Sequence, residues 1–107
     1  MKLRGHRFDL GEIEAAIRMH PEVRDAAAFA MPTPDGDGEI WAVTLAGERD
    51  LGAELRRACA RRLPVFARPT RILQVQRFPL LSTGKIDRQA LKAMLSGHNN
   101  RGQAGRA

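Results

Sequence analysis

Tyrosine is absent from this chain, cysteine occurs once, and aromatic residues make up only 5% of its 107 positions. The lone Cys59 cannot close an internal disulfide. It sits at helical spacing among Leu55, Ala58 and Ala60, where it reads as a small apolar residue and not a nucleophile. No apolar run approaches the roughly 20 residues needed to cross a bilayer. The opening Met1-Lys2-Leu3-Arg4-Gly5-His6 has no apolar signal core, so a cytoplasmic protein without a membrane partner is expected. His6, His20 and His98 lie far apart and have no cysteine partners, so no metal site is expected. No Ser/His/Asp arrangement is apparent either.

Acidic residues are nearly missing from the second half. Residues 1–50 carry 6 Lys/Arg against 10 Asp/Glu, whereas residues 51–107 carry 12 against 2, within a net charge of +6. The second half therefore presents a positive field suited to an acidic protein, a nucleotide's phosphates or nucleic acid. Nucleic acid is the least expected of these, because Trp41, Phe66 and Phe78 fall where core or loop packing accounts for them. A chain of this length supports one small domain with a modest core.

Hydrophobic spacing outlines the elements. Asp9 and Glu12 have the form of a helix cap, with Phe8 and Ile13 at staple spacing, and predict a helix from about Leu10 to Met19 closed by His20-Pro21. Before it, Lys2 to Phe8 reads as a short strand or extended entry around Gly5. Val23 to Met31 and Ile40 to Ala46 read as an antiparallel hairpin across the turn Pro32 to Gly38. Asp50 is placed to cap a second helix from about Leu51 to Leu63, with Leu51, Leu55, Ala58, Cys59 and Leu63 inward and Arg56, Arg57, Arg61 and Arg62 outward.

Thr70 to Val75 reads as a third strand. Asp87 is placed to cap a third helix, about Arg88 to Leu95, with Ala90, Leu91, Met94 and Leu95 inward, and residues 97–107 read as a disordered tail. The class is α+β: a small sheet of about three strands plus a short N-terminal hairpin or extended segment, covered by three helices.

Two turns invite chemical readings. Asp35-Gly36-Asp37-Gly38 lacks the later ligands and closing Glu of a calcium loop and reads as a hairpin turn. Thr83-Gly84-Lys85 lacks the further glycines and the hydroxyl of a phosphate loop, which excludes an autonomous nucleotide-binding fold. It still puts a lysine on a glycine turn just before a helix. There an ammonium can swing as a point charge toward a phosphate or carboxylate.

The segment Lys2-Leu3-Arg4-Gly5-His6-Arg7-Phe8-Asp9-Leu10-Gly11-Glu12-Ile13-Glu14 resembles the opening of the C-terminal subdomain of adenylate-forming enzymes. That superfamily comprises acyl-CoA synthetases, nonribosomal peptide synthetase adenylation domains and luciferases. His20 to Ala27, Leu63 to Pro69 and Pro79 to Arg88 resemble its later segments in order and spacing, so the likeness covers residues 2 to about 95.

The resemblance implies that Lys85, presented by Gly84, contacts the acyl carboxylate and the α-phosphate on the ATP/adenylate side. It implies that the loop Arg4-Gly5-His6-Arg7 enters the site after a domain rotation, with Gly5 letting a pantetheine arm pass close to the backbone. ATP and Mg2+ would be bound mainly by an N-terminal adenylation core domain, which this sequence does not contain, and the hinge acidic residue would lie just upstream of Met1. The chain is then an excised subdomain or a separately encoded half, inactive alone.

The motif details look more like enzymes that load a carrier protein than like short-chain acyl-CoA synthetases. Arg56, Arg57, Arg61 and Arg62 become candidates to meet an acidic acyl or peptidyl carrier protein, with CoA as the other possible thiol acceptor. A noncatalytic docking module is the alternative. The acid activated is not encoded in these residues.

Overall fold

In a computed structural model of the chain, the backbone is described for residues 2–3 and 6–105 and the side chains for residues 8–96. Two short strands, β1 (Lys2–Leu3) and β2 (His6–Arg7), pair antiparallel, with Leu3 opposite His6. There follow α1 (Leu10–Arg18), β3 (Asp25–Met31), β4 (Glu39–Leu45), α2 (Gly52–Arg62), a 3-10 turn (Val65–Ala67), β5 (Arg71–Val75) and α3 (Arg88–Gly105). The α+β class is as the residue pattern implies. The chain gathers into two compact units, Met1–Gln76 and Arg77–Ala107.

In the first unit the sheet runs β3-β4-β5, with β3 antiparallel and β5 parallel to β4. Ala26, Ala28, Ile40 and Ala42 on one face join Ile13, Ala16 and Ile17 of α1 and Leu55 and Cys59 of α2 in one core. The alanines explain the close layer: a β-branched residue at 26 or 28 would lift α1 off the sheet. Full burial of each Ile or Leu contributes about 1.5–3 kcal/mol, and Ile13, Ile17 and Leu55 are each 0% exposed. The opposite face of the sheet is buried as well, at Ala27, Phe29, Trp41 and Val43. The guanidinium of Arg71 lies 4.8 Å from the Trp41 ring centroid.

The predicted α1 cap forms, since Asp9 accepts the Gly11 N–H at 2.8 Å. The α2 cap differs from expectation. The N-cap residue is Leu51, without a side-chain cap bond, and Asp50 instead accepts the Gly52 N–H at 2.9 Å from one position earlier. Gln74 fills the gap, because its side-chain oxygen accepts the Leu51 N–H and its amide nitrogen donates to the carbonyls of Gly47 and Arg49. At the other end of α2, Arg68 donates to the carbonyls of Ala60 and Leu63, both at 3.0 Å. Carbonyls of the last helical turn lack intrahelical partners, and an arginine supplies donors and favourable charge there.

A free edge on β3 is covered from α1. Glu14, 6% exposed, accepts the Ala28 N–H at 2.8 Å, and Arg18 donates to the Ala26 carbonyl at 3.0 Å. Side chains thereby take the place of a neighbouring strand. In the second unit, Leu91 and Leu95 are buried, but Met94, expected inward, is 51% exposed. It lies three residues from Leu91 and one from Leu95, toward the flank of the apolar stripe. The α3 backbone continues to Gly105, through residues 97–105 where the composition suggested a tail.

Candidate functional site

Lys85 is held on a short hairpin built within the second unit. Leu80 and Ile86 form an antiparallel bridge, and the Leu81 N–H donates to the Lys85 carbonyl at 2.7 Å. The Gly84 N–H donates to the Leu81 carbonyl at 2.9 Å, and the Asp87 N–H to Pro79 at 2.9 Å. This is a three-residue turn, Ser82-Thr83-Gly84, closed by a bulge in which the first bulge residue takes a left-handed conformation. Gly84 has φ of 91°, and a Cβ there would meet nothing within 4 Å. Backbone strain alone, about 1–2 kcal/mol, therefore demands glycine.

Asp87 anchors the hairpin to α3. Its carboxylate accepts the Ala90 N–H at 3.0 Å, the N-cap geometry that the sequence implies. The lysine side chain is exposed, and no ion pair joins it to any described residue. An ammonium on a hydrogen-bonded turn, uncommitted to any described carboxylate, is available to an incoming anion. Nothing in the residue pattern separates Leu80 and Leu81 from core leucines, yet they remain 61% and 47% exposed beside it.

Of the other residues singled out by sequence, Arg56, Arg57, Arg61 and Arg62 are all exposed on α2. None of them forms an ion pair with a described residue. Val65, 76% exposed, follows shortly after them. Arg4 and Gly5 lie outside the described residues, and for His6 and Arg7 only the backbone strand β2 is described.

The first unit carries an ion-pair cluster that sequence reasoning missed. Arg49 pairs with both Glu22 and Glu54, and His20 Nε2 lies 2.8 Å from Glu54. The His20 Nδ1 accepts the Glu22 N–H at 3.1 Å, which leaves the ring proton on Nε2 to be donated to Glu54 in the neutral ring. The hydrogen bond from Arg49, then that from His20, pulls the Glu54 carboxyl down to about 2. Arg49 likewise lowers Glu22, and the two carboxylates together raise Arg49. His20 thus ties the segment that follows α1 to Glu54 of α2.

Cys59 is buried, and burial pushes its thiol up, away from the reactive thiolate. In the β3–β4 loop, Asp35 accepts from the Asp37 N–H and the Thr33 hydroxyl, so its carboxylate serves the turn. Among the described residues there is no group of three or more His, Cys, Asp or Glu that could hold a metal ion. No helix of the described residues is long and apolar enough to cross a membrane.

The family model of the AMP-binding enzyme C-terminal domain matches residues 12–85. The chain is 42% identical over 94 residues to a dimodular nonribosomal peptide synthase of Bacillus subtilis (strain 168), a match that covers 87% of this chain and 4% of that protein. It is 36% identical over 102 residues to an L-proline:L-prolyl-carrier-protein ligase of Pseudomonas fluorescens, covering 91% and 20%. A solved four-domain nonribosomal peptide synthetase bound to AMP and glycine superposes with a TM-score of 0.74 at 31% identity, over 83% of this chain and 7% of that one. The chain thus spans only a small part of the length of each relative. Sequence and fold agree over the same stretch, and the chain belongs to the AMP-binding enzyme C-terminal domain family, the small domain of the adenylate-forming enzymes.

Proposed function

We propose that this domain serves an ATP-dependent acid–thiol ligase, in which it closes over an N-terminal adenylation core and supplies Lys85 to the first half-reaction. A carboxylic or amino acid attacks the α-phosphate of ATP, the acyl-adenylate forms and pyrophosphate leaves. Two anions must approach each other in that step, and a positioned ammonium stabilises the charge that spreads over the transition state. The observation that carries this reading is the exposed Lys85 on a hydrogen-bonded hairpin, with no ion pair to any described residue. ATP and Mg2+ are bound mainly by the core domain.

In the second half-reaction a pantetheine thiol, of a carrier protein or of CoA, attacks the acyl carbon and AMP leaves. Rotation of the domain would then bring the segment Arg4-Gly5-His6-Arg7 to the site in place of Lys85. The exposed arginines Arg56, Arg57, Arg61 and Arg62 favour an acidic carrier protein as the acceptor. Charge reversal at Arg57 and Arg61 should slow carrier loading and leave adenylate formation intact. Loading unchanged by that reversal removes the arginines from the reading.

The main test is pyrophosphate exchange by a candidate N-terminal core with this chain supplied. The wild-type chain should restore exchange, and Lys85→Ala should lower it about 10²–10³-fold, the usual loss for one transition-state donor. Lys85→Arg should fall well short of wild type, because a planar fork does not reproduce a point charge. Equal activity with the wild-type and Lys85→Ala chains would leave only the noncatalytic docking module. The isolated chain should show no turnover.

A further inference from the structure

We propose that Leu81 is a positioning residue for Lys85: its side chain forms an apolar wall beside the lysine stem and holds the ammonium on line when the domain closes. The inference rests on the adenylation role given to Lys85 and extends it to a residue outside the Gly84-Lys85 pair.

The geometry comes from the hairpin ladder. Leu81 donates its N–H to the Lys85 carbonyl, one step inside the Leu80–Ile86 bridge, so residues 81 and 85 stand opposite each other across the turn. Opposed residues of an antiparallel pair project to the same face, and successive residues to opposite faces. Leu81 therefore shares a face with Lys85, while Leu80 shares the other with Ile86.

The exposures make this arrangement informative. Leu81 is 47% and Leu80 61% exposed, although Leu91 and Leu95 in the same unit are 1% and 3% exposed. A large apolar residue beside a lysine covers the methylenes of its stem and leaves the head free. A lysine side chain carries about 2 kcal/mol of rotamer freedom, which must be given up wherever the ammonium is fixed. A cross-strand wall removes part of that freedom before substrate arrives. The benefit then appears in the rate of the chemical step more than in substrate binding.

The experiment uses the pair of chains that exchanges pyrophosphate, with steady-state kcat and KM for ATP and for the acid. Leu81→Ser should lower kcat by about three- to tenfold, the share of lysine ordering at stake, with KM values changed less than about twofold. Leu81→Met should recover most of the rate, since an unbranched apolar side chain can cover the same stem. Leu80→Ser, on the opposite face and more exposed, should leave kcat near wild type.

The proposal is overturned by Leu81→Ser as active as wild type, or by Leu81→Ser and Leu80→Ser equally impaired, which would mark general apolar contact and not lysine positioning. Thermal unfolding of each variant chain separates loss of the hairpin from loss of rate, and a kcat loss that Leu81→Met fails to recover despite an unchanged midpoint also refutes it. Failure of the underlying reading is read separately, because then Lys85→Ala itself retains full exchange.

Discussion

Replacing Glu14 should separate a structural role from a chemical one inside the segment that most resembles the family. Glu14 belongs to Gly11-Glu12-Ile13-Glu14, yet the residue is 6% exposed and its carboxylate accepts the Ala28 N–H at 2.8 Å on the outer edge of β3. Arg18 reinforces it at 3.8 Å while donating to Asp25 at 3.0 Å and to Ala26. In Glu14→Ala the buried Ala28 N–H loses its acceptor, at about 1–3 kcal/mol, and the space left by the side chain adds about 1 kcal/mol.

A total near 3 kcal/mol would lower the melting midpoint by about 12–24 °C at roughly 4–8 °C per kcal/mol. Glu14→Gln keeps an acceptor oxygen and loses only the charge, so its cost should be about 1 kcal/mol. Urea unfolding followed by fluorescence measures both, because the one tryptophan, Trp41, is 2% exposed and reports the core. Two results would refute the reasoning: Glu14→Ala within 0.5 kcal/mol of wild type, or Glu14→Gln as costly as Glu14→Ala.

Thr44 is 0% exposed and its hydroxyl has no hydrogen-bond partner among the described residues, so Thr44→Val should stabilise the domain by about 1 kcal/mol; a lowered urea midpoint would refute this. Glu54, held at about 2 in the folded chain against an ordinary 4.5, contributes stability that is fully present above pH 4.5 and is lost as pH falls toward 2. Glu54→Gln should therefore flatten the fall of the unfolding midpoint across that window and change its shape little at higher pH. An unaltered acid profile would remove Glu54 from the account. With Glu22 and Arg49 exposed and Glu54 half-buried, the ion pairs of this cluster should also weaken with added salt.

What could be read in the sequence is what local chemistry controls. The Asp9 and Asp87 caps, the inward stripe of α2 and the β3–β4 hairpin depend on neighbours a few residues apart, and the structure has them. Lys85 stood out for the same reason, since a glycine turn before a capped helix is a local signal. Contacts between distant segments were not legible. Glu14 reads as a polar residue on an amphipathic helix until β3 is laid beside it, and Arg49 meets Glu22 from 27 positions away. Asp50 looked like the α2 cap because the cap pattern is satisfied there, but Gln74 takes the Leu51 N–H from 23 positions away and moves the start of the helix. The exposure of Leu80 and Leu81 was invisible for a different reason: apolar side chains read as interior wherever they occur.

The mixed sheet gives its strands unequal folding histories. β3 and β4 are joined by the seven residues 32–38, whereas β5 reaches β4 only after the 25 residues 46–70, which include α2. Closing the longer connection costs about 1 kcal/mol more in chain entropy, and a parallel partner cannot be reached by a turn. The hairpin should therefore form first and β5 dock later, once α2 has crossed the sheet. Until it does, β4 offers an open row of backbone groups flanked by Ile40, Trp41 and Val43, a template for another chain. Slow crossing by α2, more than weak packing in the finished fold, would then set how readily this domain aggregates.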